Sequence, residues 1–560
     1  MPWQLLANHA EVLAVHSAYM GFGQILYFGG DEHDAVRNAS HLFDASRLYD
    51  CNSTAVTKIT SPRFDAFCSG HAFLGTANVV KLLVGGGTDT FPEGAPDHHR
   101  LLEHFPGLRD AAIFSSPSFV PPSAGGWDWT TAARMNTGTT MAPTPPKIPN
   151  PDPERTGGRW YPTLMTLPNG DVIALSGHPG PHDDLHSNDI PEVFSQSPAP
   201  VGKWRRLAPF TNAAALAYYK HHALPLFPRV HLLPSGDIIC TNPILEGTYT
   251  LLPDVGPYGG SFTQVCRFPA SAMDDFNGFA STSVLLPLRR RENFRARVLI
   301  CGGTSVTPFL LDLKGWKPSL ASSAGWDWQP TGKRAIGQRR VDANATLLPT
   351  GEVLVTGGID VGRREPSPDT RGVMQAEIYD PYANKWKVVA PPDAQSVRNY
   401  HSVALLMPDG RVWTAGSNHD HGRGPAARNL DIELFEPWYY GDPGRPHITA
   451  APSLAYPGET IYMESTFADE IERVVLVRCG SCTHAFNPDQ RLIEVGFQHP
   501  TGAVLLAEMP PDNFIMPPGP YFIFTIRKKA GTLGLPSSGT EIYIVPEHPP
   551  GVGRPPGHGR

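Results

Sequence analysis

The chain has 560 residues, with 53 acidic against 46 basic side chains and a net charge of −7. It is long enough for several domains, or for one large repeat fold with an added module. It lacks the long basic run expected of a nucleic-acid or anionic-membrane partner, and no apolar stretch approaches the roughly 20 residues that a membrane-spanning helix needs.

The N-terminal "MPWQLLANHAEVLAVHSAYM" carries Glu11, His9 and His16 and no basic region followed by an apolar core. It does not read as a secretory signal. The seven cysteines are sparse and odd in number, so they make no disulfide framework, and neither a reducing nor an oxidising compartment is excluded. The 55 glycines and 59 prolines fall between short β-branched and aromatic runs. That pattern means many tight turns, as in an all-β protein.

From Gly23 onward a unit recurs. Seven segments share a turn, an apolar strand and a small-residue exit: "GQILYFGG" from Gly23, "NVVKLLVGGG" from Asn78, "GDVIALSG" from Gly170, "GDIICTNP" from Gly236, "ARVLICGG" from Ala296, "GEVLVTGG" from Gly351 and "GRVWTAGS" from Gly410. Four follow nearly the same turn, "LPNGD", "LPSGD", "LPTGE" and "MPDGR", whose proline and glycine suit a hairpin by backbone preference alone. Further apolar strands lie on either side, as at "YHSVALLM", "AEIYDPYANKW" and "IELFEP". Three or four short antiparallel strands repeated seven times are the signature of a β-propeller. The diglycines and late aromatics resemble kelch repeats, although a spacing of roughly 65 residues exceeds the kelch average. The surplus is expected in loops, notably between Asp89 and Gly158.

After Tyr440 the rhythm changes. "GDPGRPHITAAP" is a linker by composition, and five or more short strands follow, among them "RVVLVRC" and "PYFIFTI". They suggest an immunoglobulin-like (E-set) sandwich. The domains expected are therefore a seven-bladed kelch-like propeller over 1–440, a sandwich over 446–547 and a disordered tail over 548–560.

Tyr161 stands nine residues before Gly170, and His401 nine before Gly410 with Tyr400 beside it. Cys68, in "FDAFCSGHAFL", opens the comparable strand of the second repeat. The innermost strands of a propeller enter from one face near the axis, so Cys68, Tyr161, Tyr400 and His401 are expected to share one pocket. Each alone reads most simply as core packing. In "GSCTHAFNPDQR", beyond the propeller, His484 follows a Cys-x-x-Cys pair, Cys479 and Cys482.

Together, "FCSG", "RWYPT", "NYHSVALLMPDGRV" and "THAFNPDQR" resemble the galactose oxidase and glyoxal oxidase family of copper radical oxidases, and the likeness runs through propeller and sandwich. Nothing before the first blade matches the extra carbohydrate-binding domain of galactose oxidase, and in that, and in "RWYPT", the chain looks closer to the glyoxal oxidase branch. The resemblance implies one copper per chain, held by Tyr161, Tyr400, His401 and His484, a donor set that suits Cu(II). It also implies a Cys68–Tyr161 thioether that stabilises a tyrosyl radical, with Tyr400 as the axial base that takes the substrate's proton. The expected partners are a small aldehyde or primary alcohol and O2, with H2O2 released. A monomer and an extracellular location are expected with it.

Galactose oxidase stacks a tryptophan over its thioether. Here His178 and Pro179 stand at the matching place, and Trp127, Trp129, Trp160 or His178 could fill the role. His16, with Val15 where the last repeat has Tyr400, reads as structural. His178, His182 and His186 are spaced i, i+4, i+8, but Pro179, Gly180 and Pro181 forbid a helix, so they read as a loop near the pocket. Two rivals stay open. One is a kelch-type binding protein without turnover. The other is a zinc or disulfide site at Cys479 and Cys482, although no further ligands follow at zinc-finger spacing and Thr483 stands where a c-type haem motif needs histidine.

Overall fold

The computed structural model describes residues 2–29, 43–76, 79–89, 107–118, 126–136, 157–179, 188, 190–195, 202–207, 224–242, 248–252, 261–269, 280–316, 325–361, 371–418 and 428–546. His182, His186 and the tail expected over 548–560 lie outside them.

The described chain is all-β, with only short 3-10 turns. Seven small antiparallel sheets follow one another in sequence. Their first strands are His16–Tyr19, Gly70–Leu74, Thr163–Thr166, Val230–Leu232, Ser281–Leu285, Asn344–Leu347 and Val403–Leu406. Each pairs with a strand from one of the seven recurring segments, from Gln24–Phe28 to Val412–Ala415. The last sheet takes its outer strand from the other end of the chain, because Trp3–Leu5 pairs with Glu433–Phe435. Sequence had placed surplus loop between Asp89 and Gly158, but two strands of the second sheet lie there, Ala111–Ser118 and Asp128–Thr131. Their short runs, "AAIFSSPS" and "DWTT", are masked by the prolines and glycines around them.

Burial falls outward across each sheet. In the sixth, Asn344–Leu347 and Val353–Thr356 are wholly buried, while Lys385–Val388 is mostly exposed. Strands covered on both faces read as continuous apolar runs, and this is why the second strand of each unit carried the strongest sequence signal. Neighbouring first strands touch. His16 meets His71 edge to face, His231 Nε2 lies 2.7 Å from Ser283 Oγ, and Asn344 Nδ2 donates to the Ser402 carbonyl at 3.3 Å. Val403–Leu406 of the seventh sheet packs on His16–Tyr19 of the first.

The four shared turns are superposable in their hydrogen bonding. Gly170, Gly236, Gly351 and Gly410 each donate to the carbonyl three residues back, at 2.8–3.0 Å, with φ between 87° and 92°. A type I turn closed by a left-handed glycine is a standard hairpin connection.

The C-terminal strands from Ile448 to Ile544 form two sheets joined through Arg491–Gln498. Val475, Val477, Phe522 and Phe524 share one apolar core with Leu347 and Val403 of the seven-sheet region, so the module is docked by buried hydrocarbon. No described helix is long and apolar enough to cross a membrane.

Replacing Gly351 with alanine puts a Cβ at φ 92° and against the Tyr382 hydroxyl. Thermal melting of Gly351→Ala should show a clear loss of stability, on the order of 1–3 kcal/mol from the backbone alone.

Candidate metal and radical site

The site is built on an unusual backbone feature. Cys68, Tyr161, Asp342 and His401 all have left-handed φ, between 60° and 64°. Each lies two residues ahead of the first strand of its sheet. Phe227, three ahead, has φ 44°. Non-glycine residues avoid this region unless their surroundings impose it. Here backbone hydrogen bonds link successive sheets at that level: Tyr161 N donates to the Cys68 carbonyl at 2.9 Å, and Phe227 N to the Tyr161 carbonyl at 2.8 Å. At Cys68, Tyr161, Phe227 and His401 the side chains meet around His484.

His484 arrives from the C-terminal module. After strand Ile471–Arg478, the segment Ser481–Thr483 pairs antiparallel with His16–Ala18 of the first sheet. The chain then reverses. Thr483 and Phe486 exchange backbone hydrogen bonds at 3.0 and 2.9 Å, and the two residues between them, His484 and Ala485, have φ 47° and 61°. Positive φ at both central positions is the mark of a type I′ turn, usually Asn-Gly. Arg229 secures it: its guanidinium donates to the His484 carbonyl at 2.9 Å and lies over the Phe486 ring.

The five candidate residues meet. Cys68 Sγ lies 3.6 Å from His484 Nε2 and 4.0 Å from His401 Nε2. The three donor atoms all lie within 4.8 Å of one another. The hydroxyls of Tyr161 and Tyr400 are hydrogen-bonded to each other. Tyr400 stacks on His401 at 3.7 Å, and the two imidazoles stand at 88°. All five residues are between 0% and 4% exposed.

Both imidazoles turn Nε2 toward the cluster and Nδ1 away. The Nδ1 of His401 faces the Asn418 side-chain amide at 3.4 Å, and that of His484 faces the Thr483 hydroxyl at 2.6 Å. Two imidazole nitrogens and two phenol oxygens in one buried place fit Cu(II), which favours such donors.

Among the candidate stacking groups, Trp160 lies on the Tyr161 ring at 3.7 Å and 12°. His178 is its backbone neighbour, paired with Trp160 in an isolated bridge. Trp127 and Trp129 pack instead on Phe114, remote in role from the cluster. His16 stacks on Phe28 at 4.8 Å and sits behind His484, its ring centre 5.8 Å away. Burial, with His71 and His401 nearby, holds it well below the usual histidine pKa. Cys479 and Cys482 are separate, buried thiols, and burial pushes Cys482 up to about 12. Such thiols are poor metal ligands.

Sequence reading missed Phe227, which stacks on His484 at 4.3 Å, and also Arg229 and Thr483. A signal for Phe227 existed. Like Tyr161 and His401, it stands nine residues before its turn glycine, Gly236, in "LFPRVHLLPSGD". Asp342 keeps the same offset from Gly351.

Residues 152–439 match the family described as glyoxal oxidase N-terminus, and residues 445–544 the galactose oxidase-like Early set domain. An aldehyde oxidase (GLOX) of Vitis pseudoreticulata is 27% identical over 429 residues, spanning 70% of this chain and 73% of that protein. A galactose oxidase of Gibberella zeae is 32% identical over 210 residues, 36% of this chain and 29% of its own length. Among solved structures, a fungal alcohol oxidase of the AA5 family in complex with copper superposes with a TM-score of 0.71 over 97% of this chain and 100% of its own, at 17% identity.

Two variants separate the roles of the neighbouring residues in the 479–484 stretch. His484→Ala should weaken copper binding by at least about tenfold, as loss of a supporting residue alone commonly does. The double variant Cys479→Ser, Cys482→Ser should bind copper like the parent. Competition titration against a copper chelator measures both.

Proposed function

The chain belongs to the glyoxal oxidase family, and from that premise we propose that it oxidises small aldehydes or primary alcohols with O2, releasing H2O2, through a Cys68–Tyr161 radical cofactor. The seven sheets are read as the blades of a kelch-like propeller over 1–440, with the sandwich over 446–547 contributing His484. The observation that carries the reading is the convergence of two tyrosine hydroxyls, two Nε2 atoms and one thiol from four separate parts of the chain. One chain supplies all five, which suits a monomer.

A copper bound here would be held by Tyr161, Tyr400, His401 and His484, and would supply one-electron exchange and polarisation of the substrate oxygen. The protein's own groups do the rest. Tyr400, as phenolate, takes the substrate's hydroxyl proton. Tyr161, if joined to Cys68 through sulfur and oxidised by one electron, would be the group that accepts a hydrogen atom from the substrate carbon, and Trp160 covers its ring. An alcohol RCH2OH and O2 then give RCHO and H2O2. An aldehyde reacts as its hydrate, RCH(OH)2, and gives RCOOH and H2O2. Leu13, Val15, Phe67, Leu226 and Phe227 pack around the cluster with Trp160. Such close packing suits a small substrate better than a hexose.

One observation favours a second reading. Cys68, His401 and His484 alone form a compact group of three ligands, and a His2Cys set is that of an electron-transfer copper site. Such a site has no use for two hydrogen-bonded phenols beside it, and the oxidase reading uses all five groups.

Peptide mass spectrometry after exposure to copper and O2 should find the Cys68 and Tyr161 peptides joined, with two hydrogens lost. A free Cys68 thiol in turning-over enzyme contradicts the assignment. In an oxygen-electrode screen, glyoxal or methylglyoxal should outpace galactose. Tyr400→Phe should lose about 100-fold or more in kcat, the usual scale for a general base, while its apo-protein melts like the parent.

A further inference from the structure

The orientation of His484 is set by a group outside the five. Its Nδ1 lies 2.6 Å from Thr483 Oγ1, and Thr483 Oγ1 donates to the Val15 carbonyl at 2.9 Å. A hydroxyl has one proton, and a carbonyl can only accept. With that proton committed to Val15, Oγ1 meets Nδ1 as an acceptor, and Nδ1 must carry the hydrogen. The neutral ring then has its lone pair on Nε2, the atom that faces Cys68 at 3.6 Å.

The surrounding structure leaves this arrangement little freedom. Thr483 pairs with His16 across the first sheet, next to Val15. Thr483 and Phe486 close the turn from both sides, and Arg229 fixes the His484 carbonyl. Phe227 lies along the face of the imidazole. Thr483 and His484 are both buried, which limits the access of bulk water to Nδ1.

We propose that Thr483 is a positioning residue: the relay from the Val15 carbonyl through its hydroxyl fixes the Nδ1–H form of His484 and aims Nε2 at the metal. The inference rests on the copper reading above. Without the hydroxyl, the proton can sit on Nε2 and the ring can turn, and each must be reversed before copper binds.

The test compares Thr483→Val, which keeps the shape and removes the hydroxyl, with Thr483→Ser, which restores it. Apo-protein is titrated with Cu(II) against a chelator, and the copper-loaded forms are compared by electron paramagnetic resonance. Thr483→Val should bind about 10–100-fold more weakly, the scale of losing a ligand's supporting hydrogen bond, with an altered nitrogen pattern in its spectrum. Thr483→Ser should match the parent in both. If Thr483→Val does not fold, the smaller Thr483→Ala takes its place, with folding checked by apo melting. A folded hydroxyl-free variant with parental affinity and spectrum overturns the proposal. So does a serine variant as weak as the valine one, since the methyl group rather than the hydroxyl would then matter. A parent that binds no copper overturns the copper reading and this inference together, which sets that failure apart from the others.

Discussion

Everything at the centre of this protein depends on how segment 480–491 is held. It leaves the C-terminal module and is gripped by at least five of the seven sheets. Cys482 pairs with Ser17 in the first sheet. His71 Nδ1 of the second lies 2.5 Å from Ser481 Oγ. Asp489, in a buried ion pair with Arg478 at 3.2 Å, accepts from Thr166 of the third. Arg491 donates to Leu232 of the fourth, and Gln490 bonds both Leu347 and Ala345 of the sixth. Asn487 ties the segment to itself, accepting from Ser481 N and Gln490 N. The polar run "NPDQR" is therefore an anchor. A buried polar group left without a partner is costly, so these side chains specify one seating of the segment, and that seating puts His484 beside Cys68.

Rigid seating also explains the backbone. Cys68, Tyr161, His401 and His484 all sit at positive φ, at on the order of 1–3 kcal/mol each. Only a scaffold that over-determines these positions can hold them, and here inter-sheet hydrogen bonds and a shared apolar core do so. The same conformation at Asp342 and Phe227 shows that it belongs to the repeated unit, and three of the five site residues stand at that repeated place. Positive φ also separates Cys68 from the other six cysteines, none of which has it.

Much of this was legible in the sequence. The second strand of each sheet is buried on both faces and so appears as an apolar run, and the shared turns advertise themselves by proline and glycine. The nine-residue offset from the turn glycine located Tyr161 and His401. The same offset marks Phe227 and Asp342, which went unread because a phenylalanine or aspartate has no place in the expected ligand set. Trp160 could not be chosen over Trp127 and Trp129 by spacing, since stacking is decided by where the kinked backbone at Tyr161 sends its neighbour. Thr483 was invisible for a different reason. Its partner, the Val15 carbonyl, lies more than 460 residues away, and a backbone acceptor leaves no trace in the identity of the residue that bears it.

The central claim is that Cys68 serves Tyr161 and does not ligate the metal, although its sulfur lies as close to the imidazoles as a ligand would. X-ray absorption at the copper edge of the loaded protein tests this directly. The account predicts a first shell of nitrogen and oxygen only, at the roughly 2.0 Å typical of such donors, with two imidazoles resolved in the outer shells. A sulfur scatterer at about 2.3 Å, the length of a metal–thiolate bond, would make Cys68 a ligand and contradict it.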